Sequence, residues 1–431
     1  MPQTQARDYL ETCLERVGDP RGEGARTCLT VYATQARAAA DAADARARSG
    51  QSLGPLDGKI IAVKDLFDIA GETTRAGSIV LRDAPPAKSD APVVQRLRSA
   101  GAVIIAKTNM SEFAFTAFGI NPHFGTPGNP ADRSRVPGGS SSGSAVAAAD
   151  AMCDVGIGSD TGGSCRIPAA LCGIVGYKPS KFRIPTEGAF PLSYTLDSIG
   201  PLARSVSDCA AADAVMAGEK PWTIEPVSVS GLRLGIPQGL PLLEMDSTVQ
   251  SRFAAAIAAL GRAGARLSDE TLPILEEPAR VQAKASFSSV ESYAIHRQLL
   301  AAHAGDYDPM VRGRIEAGRG VSAADYIDMS RTRAELVREM DQRLSGVDAL
   351  VMPTVPIVAP VIADVSNPDT GRPTNLLLLR NPALANFFDL CSISLPLPRE
   401  GGLPVGLMLF ARNGQDHSLF RIAAAIERLF A

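Results

Sequence analysis

Three residues stand out for the chemistry they could share. Lys64 ends a short apolar run in AVKDLFDIAG, and two serines each follow a pair of glycines, Ser140 in PGGSSSGS and Ser164 in SDTGGS. Glycine pairs allow positive φ and expose backbone N–H groups in a concavity, and beside a nucleophile such a concavity can hold an oxyanion. A serine hydroxyl needs a base before it attacks a carbonyl. A free lysine, with a pKa near 10.4, is neutral in only about one molecule in a thousand at pH 7. Lowering it to about 7.5 requires ~4 kcal/mol of bias against the charged form, and burial in an apolar sheet can supply this. The adjacent Asp65 must then point away. Taken singly, a glycine–serine loop is a turn or helix start, a serine after two glycines caps a turn, and a lysine at a strand end is a solvated charge. Together on neighbouring strand ends, where α/β sheets bind ligands, they mark a site.

Other chemistries fit poorly. Neither loop satisfies G-x-x-x-x-G-K-[ST], so a nucleotide phosphate cradle is disfavoured, and G-x-S-x-G is absent. The four histidines, His123, His296, His303 and His417, lie in no triad context. His123 in NPHFGTP reads as a turn residue or a pocket wall, and His296 in ESYAIHR as a helix-face residue or a substrate contact. Cys165, next to Ser164, reads as a small buried residue. The seven cysteines form no C-x-x-C pair, which fits reduced core thiols and gives no zinc site. With 43 basic and 46 acidic residues and one tryptophan, Trp222, no nucleic-acid partner is expected. No signal peptide is recognisable at the N-terminus. The apolar stretch Ala349 to Ala363 is broken by Pro353, Pro356 and Pro360 and falls short of a membrane span. The expectation is a cytoplasmic enzyme with no membrane partner.

Periodicity supplies the elements that must position these residues. Residues 3–17 and 34–48 read as amphipathic helices, and Lys59 to Val63 as a buried strand. Val93, Val94, Leu97 and Ala100 share a helix face, Gly101 ends it, and Ala102 to Ala106 forms a second strand. The logic repeats with Val249, Phe253, Ile257 and Leu260, closed by Gly264 before Ala265 to Leu267. The loop 126–144 leads into a helix from Ala145 to Ala149, and Cys153 to Gly158 runs into SDTGGS. Residues 275–345 read as helical and charged, a subregion on the substrate side; ALVMP returns to the sheet, and Leu419 to Phe430 is a sealing helix. Helices alternating with buried strands predict an α/β sheet covered on both faces. We expect one domain over 1–431, with its catalytic core in 55–215.

The motifs resemble the amidase signature family. Lys64 in AVKDLFDIAG, PGGSSSGSAVAAA and GIGSDTGGSCRIPAALCGIVGYKP carry the resemblance, supported by SDAPVVQRLRSAGAVIIAKTNMSEF, TLDSIGPLARSVSD, VDALVMPTVPIVAP and GGLPVGLML in family order. It covers 55–215 strongly and 345–430 more loosely, while 220–345 matches in general character only. It implies a mixed, twisted β-sheet with helices on both faces, and amide hydrolysis without metal or cofactor. Ser164 would be the nucleophile, Ser140 a proton relay beside an unusual cis peptide, and Lys64 the base. The N–H groups of Thr161, Gly162, Gly163 and Ser164 would form the oxyanion hole, with Ser141, Asp160 and Arg166 as braces. The substrate would be a small carboxylic or ureido-type amide, cleaved through a seryl acyl-enzyme to release ammonia or an amine. The few aromatics offer no obvious long acyl channel. Ala114, Phe115, His123 and Phe124 are pocket candidates by proximity, and Arg312 and Tyr326 are candidates from the helical region. A homodimer is compatible with this reading. Two alternatives stay open: the amidase component of a glutamine-dependent tRNA amidotransferase, and a non-catalytic glycine-loop binding protein. The first would need partner chains and an ammonia tunnel, and SSVESYAIHRQ lacks the asparagine- and tyrosine-rich stretch associated with that branch.

Overall fold

Lys59 to Lys64 offers apolar side chains to both sides, which is stable only where helices cover both faces of the sheet. The computed structural model describes residues 5–220, 222–399 and 401–431. Its eleven strands are β1 (Cys28–Val31), β2 (Ile60–Lys64), β3 (Val103–Thr108), β4 (Val155–Asp160), β5 (Val175–Lys178), β6 (Ser198–Ala203), β7 (Arg233–Pro237), β8 (Arg266–Glu270), β9 (Ala349–Pro353), β10 (Cys391–Pro396) and β11 (Gly406–Ala411). They form one sheet in the order β1-β3-β2-β4-β6-β5-β10-β11-β9-β7-β8. The sheet is mixed. β2 runs parallel to both β3 and β4, and β7 is parallel to β8 and β9. β10 is antiparallel to β5 and β11.

Strand alternation assigns the faces. Ile61 and Val63 pack with Ile104, Val155 and Ile157 on one side. Ile60 and Ala62 pack with Val103, Ile105 and Ala145 to Ala148 on the other. The period of two therefore aims Lys64 at the second face, beneath the helix Ser142–Ala149. That helix approaches the sheet closely because Gly156 of β4 has no side chain. A Cβ there would stand 2.4 Å from the Ser144 carbonyl oxygen.

The expected first helix spans Ala6–Gly18, and residues 3 and 4 of that reading lie outside the described residues. The second spans Ala33–Arg48, and the C-terminal helix Asp416–Phe430. The 275–345 region is helical, with Phe287–His303, Pro309–Glu316 and Ala323–Arg343 as its main helices. The strand expected at Ala265 to Leu267 is not a buried one. β8 is a charged and largely exposed edge, which discourages pairing with other chains.

Candidate active site

β2 and β4 are parallel neighbours, so Lys64 and the loop after Asp160 emerge at the same edge of the sheet. The Lys64 side chain is fully buried, with Nζ 2.8 Å from Ser140 Oγ, 3.0 Å from Ser141 Oγ and 2.9 Å from Ser159 Oγ. Burial pushes this amine down to about 7, and Cys165, Asp160 and Asp197 pull weakly the other way. Asp65 turns elsewhere: its carboxylate accepts from Gly77 N at 3.0 Å and lies 3.8 Å from Lys107 Nζ. A neutral amine has two N–H donors and one lone pair. Ser141 donates its own hydroxyl to the Ser159 carbonyl at 3.2 Å, which leaves its oxygen to accept from Nζ. Among the described residues Ser140 has no such outlet, and its proton can point at the amine.

The peptide between Gly139 and Ser140 is cis. Gly139 N donates to the Ala117 carbonyl at 2.7 Å, and Ser111 N to that of Ser140 at 3.1 Å, so the loop is held on both sides. Ser141 N donates to the Ser164 carbonyl at 3.3 Å, tying this loop to the second one. Ser164 is 5% exposed and faces a cavity. Its hydroxyl forms no hydrogen bond among the described residues.

Asp160 and Arg166, both fully buried, brace the second loop. Arg166 grips the carboxylate through Nε at 3.0 Å and Nη2 at 2.9 Å, and Asn386 adds a bond at 2.9 Å. Burial alone would raise the Asp160 pKa, but the Arg166 charge and these bonds hold it at about 2. The same carboxylate accepts from Gly163 N at 2.8 Å and Cys165 N at 3.1 Å. Of the four amides expected to form an oxyanion hole, one is therefore committed elsewhere. The Gly163 amide is already engaged, whereas those of Thr161, Gly162 and Ser164 have no backbone or side-chain acceptor among the described residues.

The cavity over Ser164, ≈ 210 Å³, is lined by Ala114 and Phe115 with Leu192, Leu196, Leu379 and Phe387. An adjoining cavity shares Ala114 and Leu192 and reaches Ser159 and Asp197. His123 and Phe124 are absent from these walls. The His123 ring is bound to the buried Glu112 at 2.8 Å, and that hydrogen bond raises its pKa. Arg312 and Tyr326 are also placed elsewhere. Arg312 donates to the Ala304 carbonyl at 3.1 Å, and the Tyr326 hydroxyl donates to Glu291 at 2.6 Å. His296 is a core residue, bonded to the Tyr307 hydroxyl at 3.0 Å, and burial pushes it down to about 4. Cys165 is a buried thiol whose pKa burial pushes up. Sequence reasoning missed Ser159, Asn386 and Arg314. Strand alternation groups Ser159 with Val155 and Ile157, on the face opposite Lys64, so the pattern gave no signal that its hydroxyl meets Nζ at the strand end.

The family profile described as Amidase matches residues 9–420. The chain is 36% identical over 412 residues to 2-amino-5-chloromuconic acid deaminase of Comamonas testosteroni, covering 93% of this chain and 88% of that protein. It is also 36% identical to a glutamyl-tRNA(Gln) amidotransferase component of Anaeromyxobacter dehalogenans (strain 2CP-C), covering 98% and 92%. The crystal structure of an amidase superposes with a TM-score of 0.89 at 34% identity, covering 99% of this chain and 97% of the other. The chain belongs to the amidase family and is an amidohydrolase.

Proposed function

We propose that the chain hydrolyses the C–N bond of a small amide through an acyl-enzyme on Ser164. The observation that carries this reading is the buried Lys64 amine, which has the Ser140 hydroxyl at 2.8 Å and a pKa lowered by burial to about 7. Neutral Lys64 takes the Ser140 proton while Ser140 takes that of Ser164, whose Oγ bonds to the amide carbon. The Ser164 hydroxyl rotates onto Ser140 when substrate enters; catalytic hydrogen bonds commonly tighten only in the complex. The carbonyl oxygen gains negative charge, and the free N–H groups of Thr161, Gly162 and Ser164 receive it. Collapse breaks the C–N bond, and the proton returns through Ser140 to the departing nitrogen. Water repeats the sequence on the ester, releasing the acid and Ser164. The ≈ 210 Å³ cavity suits a small acyl group.

Incubation with a fluorophosphonate followed by peptide mass spectrometry tests this. The label is expected on Ser164, with ammonia released from small amides. Ser164→Ala should abolish both while the circular dichroism spectrum stays unchanged. Label at another residue would overturn the assignment. A second reading, one component of an amidotransferase, is favoured by the 36% identity to such a protein over 98% of the chain. It predicts ammonia release from glutamine only after partner chains are added.

A further inference from the structure

Among the described residues, the cavity over Ser164 has one charged residue in its walls, Arg314 of the helix Pro309–Glu316. Its guanidinium lies over the Phe115 ring, 5.1 Å from the centroid, which fixes the plane of its donors. Among the described residues it has neither an ion-pair partner nor a hydrogen-bond acceptor. Its pKa is pushed down to about 10 by burial alone, with no acidic neighbour opposing. Arg312, two residues earlier, faces outward toward Glu316, 3.9 Å away. A partly buried guanidinium without a counter-ion is poorly compensated, and a ligand carboxylate is the group that fits its paired donors.

A second feature on the opposite wall favours the same charge. The helix Phe287–His303 begins at the cavity: its cap Ser286 accepts from Ser289 N at 3.1 Å, and Ser288 lines the wall. The positive end of that helix adds to the field of Arg314. Gln282, the other long polar side chain on the wall, is already committed. It accepts from Phe287 N at 3.1 Å and donates to the Pro278 carbonyl at 3.2 Å. Apart from Thr116, the remaining walls are apolar or belong to the Ser164 loop, so the cavity has a reacting end and an anion-binding end.

We propose that Arg314 binds a carboxylate carried by the substrate, so the preferred substrates are small amides of dicarboxylic acids whose second carboxyl is free. This rests on Ser164 being the nucleophile at the other end. Arg314 is a specificity residue and takes no part in bond breaking.

Ammonia release would be compared for succinamate and glutaramate against the uncharged butyramide and valeramide, using wild type, Arg314→Met and Arg314→Lys. A hydrogen-bonded charge pair is worth roughly 10- to 100-fold, so wild type should favour the better carboxylated amide by about that factor in kcat/KM. Arg314→Met should remove the preference, mainly through KM, by costing the carboxylated amides far more than the uncharged ones; Arg314→Lys should restore part of it. Equal rates on both classes in wild type, or equal losses on both in Arg314→Met, would overturn the proposal. Binding is read separately from turnover by the shift of melting temperature with glutarate. A shift in wild type that is absent in Arg314→Met supports the site even if no amide is cleaved, an outcome that removes the hydrolytic reading alone. If Arg314→Met fails to fold, slowing of Ser164 fluorophosphonate labelling by glutarate but not by the uncharged glutaramide (pentanediamide) supports the proposal. Equal slowing, or none, overturns it.

Discussion

Lys64 is costly to the fold in the state that is useless to the reaction. Unfolded, its amine holds a proton up to about 10.5; folded, only up to about 7. Between these values the unfolded chain binds more protons, so this residue makes stability rise with pH across that window. Below pH 7 the native state carries the full penalty, of order 5 kcal/mol. Lys64→Met removes the titration. The stability of wild type minus that of Lys64→Met, from urea unfolding, should therefore shift toward wild type by a few kcal/mol between pH 6 and pH 10. A difference independent of pH would show that the buried amine titrates normally. Asp65, although adjacent in sequence, leaves this balance alone because it faces Gly77 and Lys107.

At the scale of elements, the approach of the helix Ser142–Ala149 to β4 brings three hydroxyls onto one amine. Gly156→Ala would put a Cβ 2.4 Å from the Ser144 carbonyl and push that helix off the sheet. Overpacking of this kind costs about 1–3 kcal/mol, and turnover should fall further than stability because the Lys64 contacts open. A variant that lost stability but kept full kcat would contradict this. Some elements were legible in the sequence: β2, β3 and β4 are nearly unbroken apolar runs, and their glycine loops mark the carboxyl edge. β6 was not, because SIGPLA contains Gly200 and Pro201, which argue against a central strand. Pro201 is tolerated where β6 pairs with β4, and the β5 pairing involves only Leu202 and Ala203. Arg314 was illegible for a different reason. Arg312 and Arg314 are two residues apart, so they point to different sides of their helix. Which one meets the cavity depends on how that helix docks, and periodicity carries no such information. Motif proximity likewise misassigned His123, whose partner Glu112 lies in a 3₁₀ turn that sequence reasoning did not identify.

Across the whole molecule, the sheet and the helical region divide the labour. Adjacent parallel strand ends carry Lys64 and the Ser164 loop, the proposed base and nucleophile, and the loop before the helix Ser142–Ala149 carries Ser140, the proposed relay, while the 275–345 region contributes Gln282, Ser286, Ser288 and Arg314 to the cavity wall. Among the described residues no helix is long and apolar enough to cross a membrane, and the seven cysteines are free and buried. The charged edge strand β8 closes one end of the sheet. What unites the parts is the neutral amine behind two hydroxyls, and one measurement tests it most directly. The rate of fluorophosphonate labelling at Ser164 should be followed against pH in wild type and in Lys64→Ala. Wild type should rise through an apparent pKa near 7, and the variant should lose both that limb and most of its rate. An unchanged pH profile in Lys64→Ala would contradict the account.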